Sequence, residues 1–339
     1  MKVRFLHRRY RLPLRMAVRT AHGVWMEREG VVVRLEDEQG NVGLGEAAPI
    51  PWFGTETVDE VERTCRILDE WGEDERFLSI PAEFGCLRHA VECARQELGG
   101  AGREVISGPD YLGLAALLPA GVAALAEIEA KSEAGFRVFK WKVGVADLAD
   151  ELGLLDDICA GLPDGAKLRL DANGAWDRRQ AERWLERCAE RPVEFIEQPI
   201  APDARGAADL LRGLAEDYPT AIALDESLIH GRDIERWVGE GWPGVFVVKL
   251  SLVADVATAL SILATAKADV VFSSGLETAI GAKEALRHAF AWTGSRRALA
   301  FGVWPLFENR RFDGPHLAPF LRREDVGRID VQDVWNALN

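Results

Sequence analysis

Three acidic residues close short apolar runs in succession: Asp171 ends Lys-Leu-Arg-Leu-Asp, Glu197 ends Phe-Ile-Glu, and Asp225 ends Ala-Leu-Asp. Lys142, in Phe-Lys-Trp-Lys-Val, precedes the first acid, and Lys249, in Val-Val-Lys-Leu-Ser, follows the last. Successive members stand about 24 to 29 residues apart, roughly what one strand-plus-helix unit consumes. Three hard oxygen ligands with no His or Cys in these runs select Mg²⁺, with Mn²⁺ as a substitute, over zinc, and leave positions open for substrate. Such an ion binds a substrate carboxylate and stabilises the enediolate formed when the adjacent carbon loses its proton. A lysine removes that proton only if nearby positive charge and partial desolvation pull its pKa down from about 10.4. Lys140, two residues before Lys142, supplies such charge. Lys249, entering from the opposite wall, serves as a second acid/base or as a cation against the developing negative charge.

Strand residues two apart share a face, so Lys140 and Lys142 point one way, as do Arg169, Asp171 and Asn173, while Trp141 and Leu170 point out toward helices. By the same rule Asp225 and Glu226 face opposite sides, and Asp225 completes a triad of one acid per strand. Arg169 and Asn173 are expected to touch substrate or to support the residues that do. Ser273-Ser274-Gly275 forms a small-residue turn whose backbone N–H groups suit a remote substrate carboxylate. His22, in Thr20-Ala21-His22-Gly23, is a candidate lid contact. Taken singly, a strand-end Lys is usually solvated and an Asp after a strand usually caps the next helix. Five such residues on five successive strands argue for a joint role.

The elements that position them follow from periodicity. Val31-Val32-Val33-Arg34-Leu35 and the stretch around Val42 and Leu44 alternate as antiparallel strands about an Asp37–Asn41 turn. Helical spacing follows, with Val58, Val61, Cys65 and Leu68 on one stripe and Leu87, Ala90, Val91 and Ala94 on another. Residues 1–105 therefore read as an α+β module, with the tail 306–339, which loses the βα rhythm, packing back on it. Residues 106–305 alternate short apolar strands with helices. The strands expected are 112–118, 138–143, 167–172, 195–198, 222–226, 245–250, 270–274 and 298–302. An open doubly wound sheet would give the same local pattern, but only a closed barrel brings separated strand ends to one mouth.

Composition narrows the function classes. The chain has 339 residues, 48% hydrophobic and 28% charged, enough for a large core of an ordinary globular kind. A net charge of −14 disfavours nucleic acid, and His7-Arg8-Arg9-Tyr10-Arg11 reads as a solvated strand face. Gly40–Gly45 spells G-x-x-G-x-G but sits in a hairpin, which removes a dinucleotide reading. The five cysteines form no metal spacing and no complete disulfide set, which suggests buried thiols in a reducing compartment. No run approaches the roughly 18 apolar residues of a membrane span, so a cytoplasmic location is expected. The 11 tryptophans are spread over the chain and suit core packing.

Lys-x-Lys at 140–142, Asp-x-Asn at 171–173, Glu-Gln-Pro at 197–199, Asp-Glu-Ser at 225–227 and the single Lys249 together resemble the enolase superfamily, in its muconate-lactonizing-enzyme subgroup. The resemblance implies an α/β fold, a modified (β/α)₇β TIM barrel under an α+β capping domain. It also implies Mg²⁺ held by Asp171, Glu197 and Asp225, with Lys142 as general base and Lys249 facing it. Arg-Thr-Ala-His-Gly at 19–23, Arg-Glu-Gly-Val-Val-Val-Arg-Leu at 28–35 and Gly-Glu-Ala-Ala-Pro-Ile-Pro-Trp-Phe-Gly at 45–54 are similar to the o-succinylbenzoate synthases of menaquinone and phylloquinone biosynthesis. That family implies dehydration of 2-succinyl-6-hydroxy-2,4-cyclohexadiene-1-carboxylate, with Lys142 taking the proton and returning it to the departing hydroxyl, and Lys249 as a cation–π partner of the ring. The alternatives are racemisation of an N-succinylamino acid, dipeptide epimerisation, and, from another class, a catalytically silent metal-binding scaffold. Phe301-Gly302-Val303-Trp304 stands where a dipeptide epimerase carries Asp-x-Asp, which lowers the epimerase option.

Overall fold

The computed structural model describes residues 2–20, 23–100 and 106–338. The chain opens with β1 (Lys2–Thr20), β2 (Gly23–Asp37) and β3 (Val42–Ala47), followed by α1 (Val58–Ile67), β4 (Trp71–Glu73) and α2 (Gly85–Leu98). The strands form one antiparallel sheet in the order β3-β2-β1-β4. Thr57 and Glu60 form a reciprocal capping box that fixes the start of α1, whose stripe Val58, Val61 and Cys65 is buried. Helix α2 lies directly on β3. A Cβ at Gly45 would stand 1.9 Å from the Ala90 carbonyl oxygen and one at Gly43 1.9 Å from that of Ala94, so only glycine permits this approach.

Next come β5 (Tyr111–Gly113), β6 (Ala116–Leu118), α3 (Ala123–Glu133), β7 (Val138–Lys142), α4 (Leu148–Gly161), β8 (Lys167–Asp171), α5 (Arg178–Cys188) and β9 (Val193–Glu197). They continue with α6 (Ala207–Asp217), β10 (Ile222–Leu224), α7 (Gly231–Gly239), β11 (Val245–Val248), α8 (Val256–Thr265), β12 (Asp269–Phe272) and α9 (Ala279–Ala291). Strands β6 to β12 pair in parallel in sequence order. The expected eighth strand at 298–302 is reduced to two bridges, Ser273 with Ala300 and Leu114 with Leu299, which join the sheet's two edges and close the ring. The expected strand 112–118 is split as well. Its first half, β5, pairs instead with β13 (Phe320–Arg322).

Inside the ring sits a small apolar floor of Phe195, Ala223, Val245, Val247 and Val271. The outward residues of the barrel strands, among them Trp141 on β7 and Leu168 and Leu170 on β8, are buried in the main core. Eight of the tryptophans are buried, Trp176 and Trp184 stacking with ring centroids 5.1 Å apart. All five cysteines are free thiols, and Cys159 alone is partly exposed. No helix among the described residues is long and apolar enough to cross a membrane.

The tail adds α10 (Arg323–Gly327) and α11 (Val331–Ala337) and ties the modules together. Arg8 donates to the carbonyls of Trp335 (2.5 Å) and Leu338 (2.7 Å), while Lys283 donates to that of Ile329. Arg9 pairs with Glu29, Asp59 and Glu62 on a partly exposed face and Arg11 stays exposed, so within the basic stretch expected to be solvated Arg8 is the residue spent on an internal tie. A second tie is Glu46, buried at the end of β3. It accepts from Tyr10 Oη (2.6 Å), from the Thr278 N–H and hydroxyl, and from the Gly281 N–H (2.9 Å), thereby capping α9 from the other module.

Candidate active site

The barrel parity places the chemistry one layer above the floor. Glu197 follows Phe195 by two, Asp225 follows Ala223, Lys249 follows Val247 and Asp171 follows Arg169, all on the inward face at the C-terminal ends of their strands. Register puts Lys142 beside Asp171 and Asp171 beside Glu197. Five successive strands thus deliver the two amines and three acids to one mouth. The acid side chains are only 1–3% exposed, whereas Lys142 is 16% and Lys249 10% exposed, so the amines meet solvent and the acids lie beneath.

Lys142 Nζ donates to Asn173 Oδ1 (2.8 Å) and Asp171 Oδ2 (3.2 Å). Asn173 sits at φ 45°, a left-handed position that Asn tolerates, and its amide nitrogen donates to Glu226 Oε1 (2.9 Å). Lys140, one layer lower, reaches up to span Glu197 (2.6 Å) and Asp171 (2.9 Å). Across the mouth Lys249 Nζ donates to Asp225 Oδ1 and lies 4.4 Å from the centre of the Phe53 ring, contributed by the capping module. The Glu-Gln-Pro motif has a structural reason. Gln198 is fully buried, and its Oε1 accepts from both the Asp225 and Ser227 N–H groups, fixing the backbone that carries Asp225.

Electrostatics are tense. Burial would lower the Lys140 ammonium, but Asp171, Glu197 and Asp225 outweigh it and hold its pKa above the usual lysine range. Burial would raise Asp171, yet Lys140, Lys142 and Lys249 keep it well below the carboxylate range. For Glu197 burial, then the charge of Asp171, wins over Lys140 and the pKa rises; Asp225 and Glu226 are raised by burial as well. Four buried carboxylates face three ammoniums, and the protein does not fully compensate their charge.

Several expectations change. Glu226 does not leave the site: β10 ends at Leu224, so strand alternation no longer applies, and Glu226 joins the cluster through Asn173. Arg169 faces inward but down. Its guanidinium is held at the floor by Glu194 (2.6 Å) and the Ala298 carbonyl (2.7 Å) beside the Phe195 ring, and does not reach the mouth. The turn 273–275 offers less than expected, because the Ser273 and Ser274 N–H groups are spent on the carbonyls of Val248 and Ala300. The Ser274 hydroxyl bonds Glu277 (3.1 Å) and the Gly275 carbonyl accepts from Arg28. His22 lies outside the described residues. Phe53 escaped the residue-level reading, because nothing in a Pro-Trp-Phe-Gly turn announces a ring placed on a lysine. A separate cleft of about 410 Å³ between α2 and α8 is lined by His89, Cys93 and Asp255, away from this cluster.

A barrel with acids and lysines on successive strand ends under an α+β cap defines the enolase class of enzyme. Residues 123–319 match the family described as enolase C-terminal domain-like, and residues 2–98 match the MenC N-terminal domain. An o-succinylbenzoate synthase of Thermosynechococcus vestitus is 41% identical, over 89% of this chain and 92% of its own. A crystal structure of o-succinylbenzoate synthase from Thermosynechococcus elongatus, with Mg in its active site, superposes with a TM-score of 0.80 at 39% identity, covering 93% of this chain and 96% of that one. An N-succinyl Arg/Lys racemase of Bacillus cereus has a TM-score of 0.85 at 17% identity, over 100% and 98% of the two chains, and shares the fold. The chain therefore belongs to the enolase superfamily, in its o-succinylbenzoate synthase branch.

Proposed function

We propose that this protein is an o-succinylbenzoate synthase, dehydrating 2-succinyl-6-hydroxy-2,4-cyclohexadiene-1-carboxylate to 2-succinylbenzoate in quinone biosynthesis. The observation that carries the reading is the opposition of Lys142 and Lys249 across one mouth above Asp171, Glu197 and Asp225.

Among the described residues no three acids, histidines or cysteines are spaced for an ion as the side chains stand, since the lysine ammoniums take up their oxygens. The donor set nevertheless fits a hard divalent cation: oxygen ligands only, buried, and under-compensated in charge. Asp171, Glu197 and Asp225 would hold Mg²⁺ or Mn²⁺. When bound, the cation neutralises the substrate carboxylate and the charge that develops on it as the adjacent proton leaves.

Lys142 removes that proton, and Asn173 and Asp171 aim its Nζ. The C–H electron pair flows toward the carboxylate as the enediolate forms, then returns to expel the ring hydroxyl, which takes its proton from Lys142 and departs as water. Lys249, pinned between Asp225 and Phe53, presents a positive charge to the other face of the ring. Arg169 and Glu194 brace the floor. We place the protein in the cytoplasm, with a small carboxylate as its partner and not nucleic acid, in keeping with its net charge of −14.

The test is incubation with the cyclohexadiene substrate and, separately, with N-succinylamino acids in D₂O. Aromatic product from the first without α-deuterium in the second is expected; the reverse would make the protein a racemase, and inertness toward both would leave a silent scaffold.

A further inference from the structure

We infer that Arg28, on β2, is a positioning residue for the reaction: its guanidinium straps the capping module to the barrel rim and so sets where Phe53 meets Lys249. The inference rests on the proposed function.

Arg28 is 2% exposed, and all five of its N–H donors end on backbone carbonyls. Nη1 donates to Glu29 (2.8 Å) and Pro49 (2.8 Å), and Nη2 to Ala48 (2.5 Å). Those three belong to the capping module. Nη2 also donates to Gly275 (3.1 Å) and Nε to Leu276 (3.1 Å), both on the turn leaving β12 at the barrel mouth. Leu276 is held at φ 61°, a left-handed conformation that is strained for a leucine and persists where the surroundings enforce it. Only a planar guanidinium fork matches five carbonyls; an ammonium brings three donors from one point.

The strap continues to the site by two routes. Ala48 and Pro49 lead straight into the 3₁₀ turn Pro51–Phe53, which carries the ring under Lys249. In parallel, aromatic contacts run from Arg28 over Trp25 (5.4 Å), from Trp25 to Trp52 (5.1 Å between centroids), from Trp52 to Phe53 (5.4 Å), and from Phe53 to Lys249 Nζ (4.4 Å). Without the guanidinium these elements lose their shared anchor, and a displacement of about 1 Å at the ring is enough to misplace the amine by a catalytically costly amount.

The experiment is Arg28→Ala in the full chain, assayed as the Mg²⁺-loaded protein with and without millimolar guanidinium chloride, with sodium chloride at matched ionic strength as control. The expected result is a fall of about 100-fold in kcat with KM changed by less than about threefold. Guanidinium, but not sodium, restores at least about tenfold of it by refilling the carbonyl cage. Hydrogen exchange gives a readout independent of turnover: amides of residues 50–54 and 249–253 exchange faster in Arg28→Ala and slow again with guanidinium. Arg28→Lys gives the same pattern in milder form, and stands in if the alanine protein does not fold. A folded variant with kcat within about twofold of wild type, or a loss that guanidinium does not repair, would overturn the strap. Wild-type protein without dehydratase activity would overturn the proposed function instead, and the exchange arm would still decide the strap.

Discussion

His89 ties helix α2 to the barrel loop that follows Lys249, and acid should cut that tie by a calculable amount. The ring is 2% exposed, with Nδ1 3.1 Å from the Val253 carbonyl oxygen and Nε2 3.3 Å from Cys93 Sγ. A carbonyl only accepts, so Nδ1 carries the hydrogen and Nε2 of the neutral ring accepts from the thiol. Burial pulls the imidazole down to about 4, against weak opposition from Glu284. The folded state therefore binds this proton less readily than the unfolded chain, where the ordinary value is 6.5. The contribution is complete above pH 6.5 and drains away as pH falls toward about 4, a gap worth about 3 kcal/mol. Nearby Glu284, which burial raises but His288, Arg287 and His89 itself bring below its ordinary 4.5, keeps its own contribution down to about pH 4.5 and loses it below. Urea unfolding of wild type and His89→Gln at pH 7, 6, 5 and 4 measures the difference, because Gln still donates to Val253 and does not titrate. Wild type should lose about 3 kcal/mol more than the variant across that span. Parallel profiles would refute the buried neutral imidazole.

Three further outcomes follow from the site. Lys142→Ala should lower dehydration by about 10⁴-fold while Mg²⁺ binding survives in calorimetry; activity near wild type would remove Lys142 as base. Asp171→Asn, Glu197→Gln and Asp225→Asn should each weaken Mg²⁺ binding by about 100-fold, and undiminished affinity in any one strikes that residue from the ligand set. Arg169→Met should cost about 3 kcal/mol in urea unfolding, because it leaves the buried Glu194 with Arg297 alone, while kcat stays near wild type; a stable but inactive variant would move Arg169 from the floor to the mouth.

What made the barrel legible was a period of two inside each strand nested in a longer period between strands. Lys142, Asp171, Glu197, Asp225 and Lys249 were identifiable because each repeats the inward parity of its strand at similar spacing, and the structure gathers all five. Parity says which face a side chain takes but not how deep it sits, so Arg169 was placed with Asp171 although it lies a layer below. Parity also stops where the strand stops, which is why Glu226 was sent to the wrong side. The Ser273-Ser274 turn was misjudged because availability of an N–H depends on ladder partners, Val248 and Ala300, that are remote in sequence. Phe53 and Arg28 act across the gap between modules, and local pattern holds no information about such long-range docking.

The Glu46 carboxylate has a consequence for how the molecule comes apart. The first turn of α9 has its amide hydrogens satisfied by a side chain that the antiparallel sheet supplies, and that sheet holds Glu46 in place through Tyr10. If the sheet melted alone it would abandon buried amides at the start of a barrel helix, while a melting barrel would take from the Glu46 carboxyl the donors of Thr278 and Gly281. Neither half lets go first without that loss, so heat or denaturant should meet one cooperative transition where the topology alone suggests two.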